Sequence, residues 1–384
     1  MRSEYDVIVV GAGALGVFHA LAAVRRGLRT VLIERSRWPV AASVRNFGMV
    51  IPAGMPAGPW RERGRRSVAI YRHLEHEFGI DVDDVGFAFV AADDAEMAVL
   101  EEFAKSDEGR AAEVVLESQA EALRRAPGLR SEAVAGLLWF PDHLRIEPRT
   151  VLRRLLGCLV DDAGLVLRNQ TVAVGVVGCD GGAVVATARG ERFSAREVFV
   201  CSGSDLETLL PQVYDDAKLV HVKLQMMRLE PPPAFRLGPM MAFGPSMHRY
   251  PTFDDCAARA ALPPLDTELA DRGIHVLAAT DHEGGIVLGD SHSEHTAGHN
   301  VGPRSDERTD DLVLDFARRR LRLDAARVTH RWLGVYTRSP DGLFETTVDG
   351  HIHVCTGIGG RGMTAAPALA EERVARVFGG RRGS

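Results

Sequence analysis

Tyr5-Asp6-Val7-Ile8-Val9-Val10 runs directly into Gly11-Ala12-Gly13-Ala14-Leu15-Gly16, an apolar stretch follows, and Thr30-Val31-Leu32-Ile33-Glu34 comes next. The order reads as strand, glycine turn, helix and second strand, a complete β–α–β unit for a dinucleotide. Gly11 permits the tight turn, Gly13 lets the backbone approach a pyrophosphate, and Gly16 lets the helix pack close to the sheet. The first helical turn, at Ala14 and Leu15, offers free N–H groups and the positive end of the helix dipole to phosphates. Glu34 closes the second strand, where a carboxylate accepts hydrogen bonds from a ribose diol. Its charge also disfavours a 2′-phosphate.

Composition narrows the classes. A chain of 384 residues, 46% hydrophobic and 26% charged, suits a globular protein with one or two sizeable cores. A net charge of −6 leaves no footprint for nucleic acid or an anionic membrane. The five cysteines are odd in number, scattered, and form no C-x-x-C pair, so reduced thiols in a cytoplasmic protein are expected. The apolar run at Val7–Val10 is too short for a signal peptide, and no stretch is long enough to span a bilayer. A homo-oligomer is compatible with this composition.

Outward from the opening unit, helices are expected over 59–79, 94–106, 117–126, 148–162, 308–322 and 364–378. Short strands are expected over 86–91, 137–140, 165–167 and 351–355, with a meander over 171–201 turning at Asp180-Gly181-Gly182. Long strands of a second sheet are expected over 218–229, 238–250 and 274–289. The fold class is α/β: a Rossmann-type nucleotide-binding domain interleaved with a mixed-sheet α+β substrate domain. The first takes residues 1–80, 141–217 and 323–384, the second 81–140 and 218–322.

At this point the chain resembles the FAD-dependent amine oxidases of the D-amino-acid oxidase and glycine oxidase superfamily, along its whole length. The resemblance rests on the opening unit with Glu34, on Ser43-Val44-Arg45-Asn46-Phe47-Gly48-Met49, on Arg145-Ile146-Glu147-Pro148, on Val200-Cys201-Ser202-Gly203-Ser204, and on Cys355-Thr356-Gly357-Ile358-Gly359-Gly360-Arg361-Gly362-Met363-Thr364. It implies an FAD along these segments, with further contacts from Arg35, Val172 and Gly334. In that family the last helix aims its N-terminus at the flavin pyrimidine, where negative charge develops on reduction. The text around Arg45–Met49, His248-Arg249-Tyr250 and Gly289-Asp290-Ser291-His292 is similar to a narrower subgroup thought to oxidise aminophosphonates.

The departures from the family bear on chemistry. Sarcosine oxidases tether FAD through a Cys where this chain has Gly334, so a non-covalent FAD is implied. Glycine oxidase-like enzymes hold the substrate carboxylate with an Arg where this chain has Tyr336, two residues before Arg338. The sarcosine oxidase Lys linked to oxygen activation falls near Val287, which leaves the acceptor open between oxygen and another oxidant.

Amine oxidation asks the protein mainly for placement, because the flavin carries the electrons. A phosphonate adds up to two negative charges, best held by Arg forks. The candidates at the substrate are Arg249, Arg338, Arg361 and Arg45, with His248, His292, Tyr250 and Tyr336 as donors and Met49 alongside. Each Arg in so Arg-rich a chain could equally be a solvated surface charge, Arg45 could serve the FAD phosphates, and His292 could be a structural histidine. His275, His282, His292, His295 and His299 form a His-rich stretch, yet no Cys pair or ordered carboxylate set completes a metal site, and none is expected. Cys201 reads as packing, and Asp310-Asp311 and Glu371-Glu372 as helix-surface charges.

The favoured activity is oxidation of a small amine to an imine, then to an aldehyde plus ammonia or an amine, with oxygen giving hydrogen peroxide. An N-methyl or 1-hydroxy 2-aminoethylphosphonate is the favoured substrate. The rivals are a glycine or sarcosine oxidase-like enzyme, an FAD-dependent hydroxylase using NAD(P)H, and a non-catalytic FAD-binding protein.

Overall fold

The computed structural model describes residues 4–296 and 301–379. The opening unit forms β1 (Tyr5–Val10), α1 (Ala14–Val24) and β2 (Thr30–Ile33). β1 pairs in parallel with β2 on one side and with Arg192–Val200 on the other. Ile352–Thr356 lies parallel to Arg192–Val200, and Val166–Arg168 lies parallel to β2. A parallel sheet is covered on both faces. Successive residues Val7, Ile8 and Val9 are therefore all fully buried, although they point to opposite sides. Antiparallel strands Ala173–Cys179, Gly182–Thr187 and Phe344–Val348 complete an eight-stranded sheet.

A nine-stranded sheet forms the second layer. Its axis is the strand Val220–Glu230, paired on one side with Arg327–Arg338 along its length and on the other with Ile286–Gly289 and Ser293–Thr296. The segment 323–384, expected with the nucleotide-binding unit, therefore divides between the sheets, with Arg327–Arg338 in the second and Phe344–Thr356 in the first. A small sheet of Met49–Val50, Leu144–Ile146 and Val82–Asp83 stands beside them.

Two of the expected long strands are broken. Over 238–250, only Met240–Phe243 is strand, and Gly244–Met247 is a helical turn. Pro245 suits that turn, since its fixed φ and missing N–H are tolerated at a helix start. His248-Arg249-Tyr250 thus follows a helical turn and does not end a strand. Residues 274–289 fold instead as a hairpin of Leu277–Thr280 and Ile286–Gly289. Asp281 makes the corner, its carboxylate accepting from the N–H of Glu283 (3.0 Å) and Gly285 (2.7 Å), while Gly284 takes φ +80°. A strand, Val115–Ser118, also precedes the helix expected over 117–126, which spans Gln119–Arg125. Asp310 is not a surface charge. It is buried, accepts from Gln225 Nε2 (2.7 Å) and pairs with Arg331 Nε (3.0 Å).

Helices cover the first sheet. The last of them, Gly362–Gly379, packs against α1 and α2 (Pro59–Phe78). Pro367 lies inside that last helix and cannot donate to the carbonyl of Met363 four residues earlier. The hydroxyl of Tyr71, fully buried on α2, donates to that carbonyl instead at 3.0 Å. A second tie joins α1 to the same helix. His19 is fully buried, and burial holds its imidazole at a pKa of about 3, hence neutral. Its Nδ1 lies 2.7 Å from the carbonyl of Leu15, and its Nε2 accepts from Arg373 Nε at 3.2 Å. Arg373 is itself paired with Glu345. No described helix is long and apolar enough to cross a membrane, and all five cysteines are free thiols.

Tyr71→Phe leaves the Met363 carbonyl buried without its donor, at a cost of about 1–3 kcal/mol. A lowered urea midpoint with an unchanged slope is expected. An unchanged midpoint would show that this hydrogen bond does not support the last helix.

Candidate active site

The nucleotide end is set by sterics. Gly11 has φ +97°, and a Cβ there would lie 2.5 Å from the carbonyl oxygen of Cys201. A Cβ on Gly16 would lie 1.7 Å from the carbonyl oxygen of Gly11, so α1 seats directly on the turn. Glu34 is held at the end of β2: one carboxylate oxygen accepts from the N–H of Ala12 (2.8 Å), the other from that of Ser36 (2.9 Å). Ser43 Oγ accepts from the N–H of Ala14 at 2.9 Å, which brings the 42–50 segment over the helix N-terminus. The first turn of α1 carries no acidic side chain, so its remaining free N–H groups favour an anion. Arg35 is paired with Asp205 at 2.9 Å.

The 42–50 segment is braced by Asn46. Its amide nitrogen donates to the carbonyls of Ala42 and Ser43 (both 3.1 Å), and its amide oxygen accepts from the N–H of Gly48 (2.8 Å). Gly48, at φ +74°, sits so close to the chain that a Cβ would lie 1.9 Å from the carbonyl oxygen of Ile146. Arg45 spends its guanidinium on the carbonyls of Val40 (2.8 Å) and Leu333 (3.1 Å). At the far end, Thr364 Oγ1 accepts from the N–H of Ile51 (3.1 Å), docking the start of the last helix against this segment. The glycines before it leave room. A Cβ on Gly359, Gly360 or Gly362 would meet nothing nearer than 3.6 Å, and one on Gly203 nothing within 4 Å.

One cavity of about 870 Å³ joins these parts and continues between the two sheets. Of the residues expected at the cofactor, all except Gly16 and Gly48 line it, those two acting by close packing. Val172 and Gly334 are among the lining residues. A cavity lined by the α1 N-terminus, a strand-end carboxylate and flanking glycines fits an FAD: Glu34 would meet a ribose, the start of α1 the pyrophosphate, and 357–364 the ring.

The same cavity is lined by Arg249, Tyr250, His292, Tyr336, Arg338, Arg361 and Met49 from the expected substrate set, but not by His248. The carbonyl of His248 accepts from the guanidinium of Arg259. The three arginines differ in their partners. Arg338 is committed to Glu294 on the neighbouring strand at 2.6 Å. Arg361 lies over the ring of Trp60 at 5.1 Å, and burial pushes its pKa down. Among the described residues, neither Arg249 nor Arg361 has a carboxylate within ion-pair distance.

His275 and Asp290 also line the cavity, and sequence reading did not single them out as site residues. His275 Nε2 lies 3.1 Å from Asp290 Oδ1, and His292 Nε2 lies 3.8 Å from Asp290 Oδ2. The two imidazoles stack at 5.0 Å, with Tyr250 edge-on to His275 and Tyr336 edge-on to His292. Burial raises the Asp290 carboxyl to a pKa of about 7, opposed by the charge of Arg249. It lowers both imidazoles, His292 to about 3, and raises the phenols of Tyr250 and Tyr336, so both phenols stay protonated donors. The donor atoms of His275, Asp290 and His292 fall within 4.8 Å of one another, a spacing that could hold a cation. The nearby charge of Arg249 opposes that use. His295 faces Ser293, His282 faces Asp83, and His299 lies outside the described residues. Cys201 is buried and its thiol pKa is pushed up, which fits packing.

Comparison with known proteins agrees with this geometry. Glycine oxidase from Geobacillus kaustophilus superposes with a TM-score of 0.78 at 19% identity, over 99% of this chain and 96% of that one. L-proline dehydrogenase from P. horikoshii gives 0.80 at 18%, over 99% and 95%. Iminodiacetate oxidase from Chelativorans sp. BNC1 gives 0.74 at 21%, over 98% and 96%. At these identities the likeness shows the fold alone. None of the curated proteins compared matches the chain by sequence. The sequence pattern of the DAO family, described as FAD dependent oxidoreductase, matches residues 6–376. With nearly the whole chain matched and a groove shaped for the cofactor, this protein belongs to the DAO family of FAD-dependent oxidoreductases, an enzyme that works with FAD.

Proposed function

We propose that the enzyme oxidises the C–N bond of a small anionic amine, with an aminophosphonate such as N-methyl or 1-hydroxy 2-aminoethylphosphonate as the favoured substrate. The observation that carries this reading is the pair Arg249 and Arg361: two guanidinium groups on one cavity, with no carboxylate partner among the described residues. Such a pair matches a group of two negative charges. Arg338 already shares its charge with Glu294 and contributes less. Tyr250 and Tyr336 supply neutral hydrogen-bond donors, while Phe47 and Met49 give the cavity an apolar side that limits water. FAD, when bound, would supply the two-electron acceptor for the C–H bond beside nitrogen, and the residues above would hold that bond toward it. The imine product then hydrolyses to an aldehyde and ammonia or an amine. Oxygen, yielding hydrogen peroxide, is the acceptor in this reading. The proposal includes the division of labour between a cofactor unit and a substrate unit, with the substrate between them.

A glycine or sarcosine oxidase-like activity is the second reading, favoured by the likeness to glycine oxidase and iminodiacetate oxidase. Against it stands the neutral Tyr336 where an Arg clamp would be expected.

The test is anaerobic bleaching of the yellow protein by a panel of amines. Bleaching by 2-aminoethylphosphonate or its N-methyl or 1-hydroxy derivatives, but not by glycine or sarcosine, is expected. Bleaching by glycine or sarcosine alone would replace the phosphonate reading with the second one, and bleaching only by NADH would point to a hydroxylase. Arg249→Ala and Arg361→Ala should each raise KM about ten- to hundredfold, the effect of losing a hydrogen bond to a charged group of about 1.5–3 kcal/mol. Arg338→Ala should change it less, and equal losses in all three would argue against the assignment. The only cysteine lining the cavity among the described residues is the buried Cys201. FAD is accordingly non-covalent in this reading, and acid precipitation should leave the yellow colour in the supernatant. Colour retained in the pellet would contradict it.

A further inference from the structure

We infer that Asp290 takes the proton from the substrate's ammonium group, delivering the neutral amine that C–H oxidation requires, with the neutral imidazoles of His275 and His292 bordering its carboxylate. The inference rests on the amine-oxidation reading above and assigns the acid–base step within it. A small amine arrives at neutral pH as a cation, because an alkylammonium has a pKa of about 10. Its nitrogen lone pair must be free before the adjacent carbon can be oxidised. In the step assigned here an N–H bond breaks and an O–H bond forms on Asp290; the proton moves to the carboxylate, the electron pair stays on nitrogen, and no redox change occurs.

Three observations carry this. First, Asp290 is a buried carboxylate on the substrate cavity, and its Oδ1 has no hydrogen-bond partner among the described residues, although His275 Nε2 lies 3.1 Å away. Buried acceptors left unpaired are rare and ask for an explanation. An ammonium supplies the missing donor and charge.

Second, the flanking imidazoles are held from behind. His292 Nδ1 lies 3.2 Å from the carbonyl of Gly273, which can only accept, so Nδ1 carries the hydrogen and Nε2 presents a bare lone pair toward Asp290. His275 Nδ1 lies 3.3 Å from the buried hydroxyl of Ser246. Two neutral rings stacked at 5.0 Å thus border the carboxylate without neutralising it, and the Nε2 lone pair of His292 facing it favours the protonated carboxyl over the anion, which adds to its basicity.

Third, the groups facing Asp290 from other elements set its basicity. Arg249 follows the helical turn Gly244–Met247, with Tyr250 beside it, and Tyr336 comes from Arg327–Arg338. Arg249 is the charge that pulls the carboxyl down, against the burial that raises it toward about 7. An anion bound at Arg249 offsets that pull. Asp290 therefore becomes a better proton acceptor when the anionic end of the substrate is in place, a few ångströms from the ammonium at its other end.

The test is the pH dependence of anaerobic flavin reduction in the holoenzyme. In the wild type the rate should rise with pH and level off below the amine's own pKa of about 10. In D290N, matched for flavin content, no carboxylate is available and the rate should follow the free amine. It should fall about a hundred- to a thousandfold at pH 7 and recover to within about tenfold at pH 10, as set by an alkylamine pKa of about 10. A loss that is uniform from pH 6 to 10 means a structural role and overturns the inference, as does no loss at all. A second measurement needs no variant. Two substrates whose amine pKa values differ by a unit or more should share the same rising limb in the wild type. A limb that moves with the amine's own pKa overturns the assignment. Loss of the wild-type rate on chelation, restored by zinc, would make the three residues a metal site and also overturn it. If no amine reduces the wild-type flavin, it is the amine-oxidation reading that fails.

Discussion

The whole arrangement depends on one close backbone crossing. α1 can lie on the turn after β1 only because neither Gly11 nor Gly16 carries a Cβ: one would press into the carbonyl of Cys201, the other into that of Gly11. From that contact follow the depth of the groove, the aim of the α1 N-terminus, and the alignment of Glu34 with Ala12 across 2.8 Å. The last helix is drawn in by the same geometry. It packs on α1 through His19 and Arg373, and its Pro367 is tolerated because Tyr71 satisfies the carbonyl that proline abandons.

The second sheet matters chiefly for what it places over that groove. Arg327–Arg338 pairs along Val220–Glu230 and carries Gly334 and Tyr336 to the cavity. The hairpin after Asp281 returns the chain so that His275 and Asp290 exchange backbone contacts, each N–H facing the other's carbonyl at 3.3–3.4 Å. A carboxylate, two imidazoles and unpaired guanidinium groups therefore share one cavity with the flavin groove. Charge separation within this cavity, cationic at Arg249 and Arg361 and anionic at Asp290, suits a molecule with an anion at one end and an amine at the other.

Most of the cofactor groove was legible in the sequence because its constraints are local. A glycine forced by a backbone approach, a strand-end acid and a helix start all leave their mark within a few residues, and nearly every residue read this way lines the cavity. The substrate end was less legible. Arg249 and Arg361 stand more than a hundred residues apart, and nothing local distinguishes them from Arg338, which Glu294 neutralises. His275 and Asp290 were both visible, one in the His-rich stretch and one in Gly289-Asp290-Ser291-His292, but their pairing was hidden, because 274–289 reads as one strand and only the corner at Asp281–Gly285 brings its two ends together. His248 shows the converse: 238–250 breaks at Gly244-Pro245, and His248, just after that turn, does not line the cavity.

The central claim is that this cavity recognises a phosphonate-bearing amine through its unpaired arginines. The most direct test is to titrate the oxidised flavoprotein with inert analogues lacking nitrogen, 2-hydroxyethylphosphonate against 3-hydroxypropanoate, and to read Kd from the flavin absorbance change. The account predicts tighter binding of the phosphonate by about tenfold or more, equivalent to about 1.4 kcal/mol or more. Equal affinity, or a preference for the carboxylate, would contradict it.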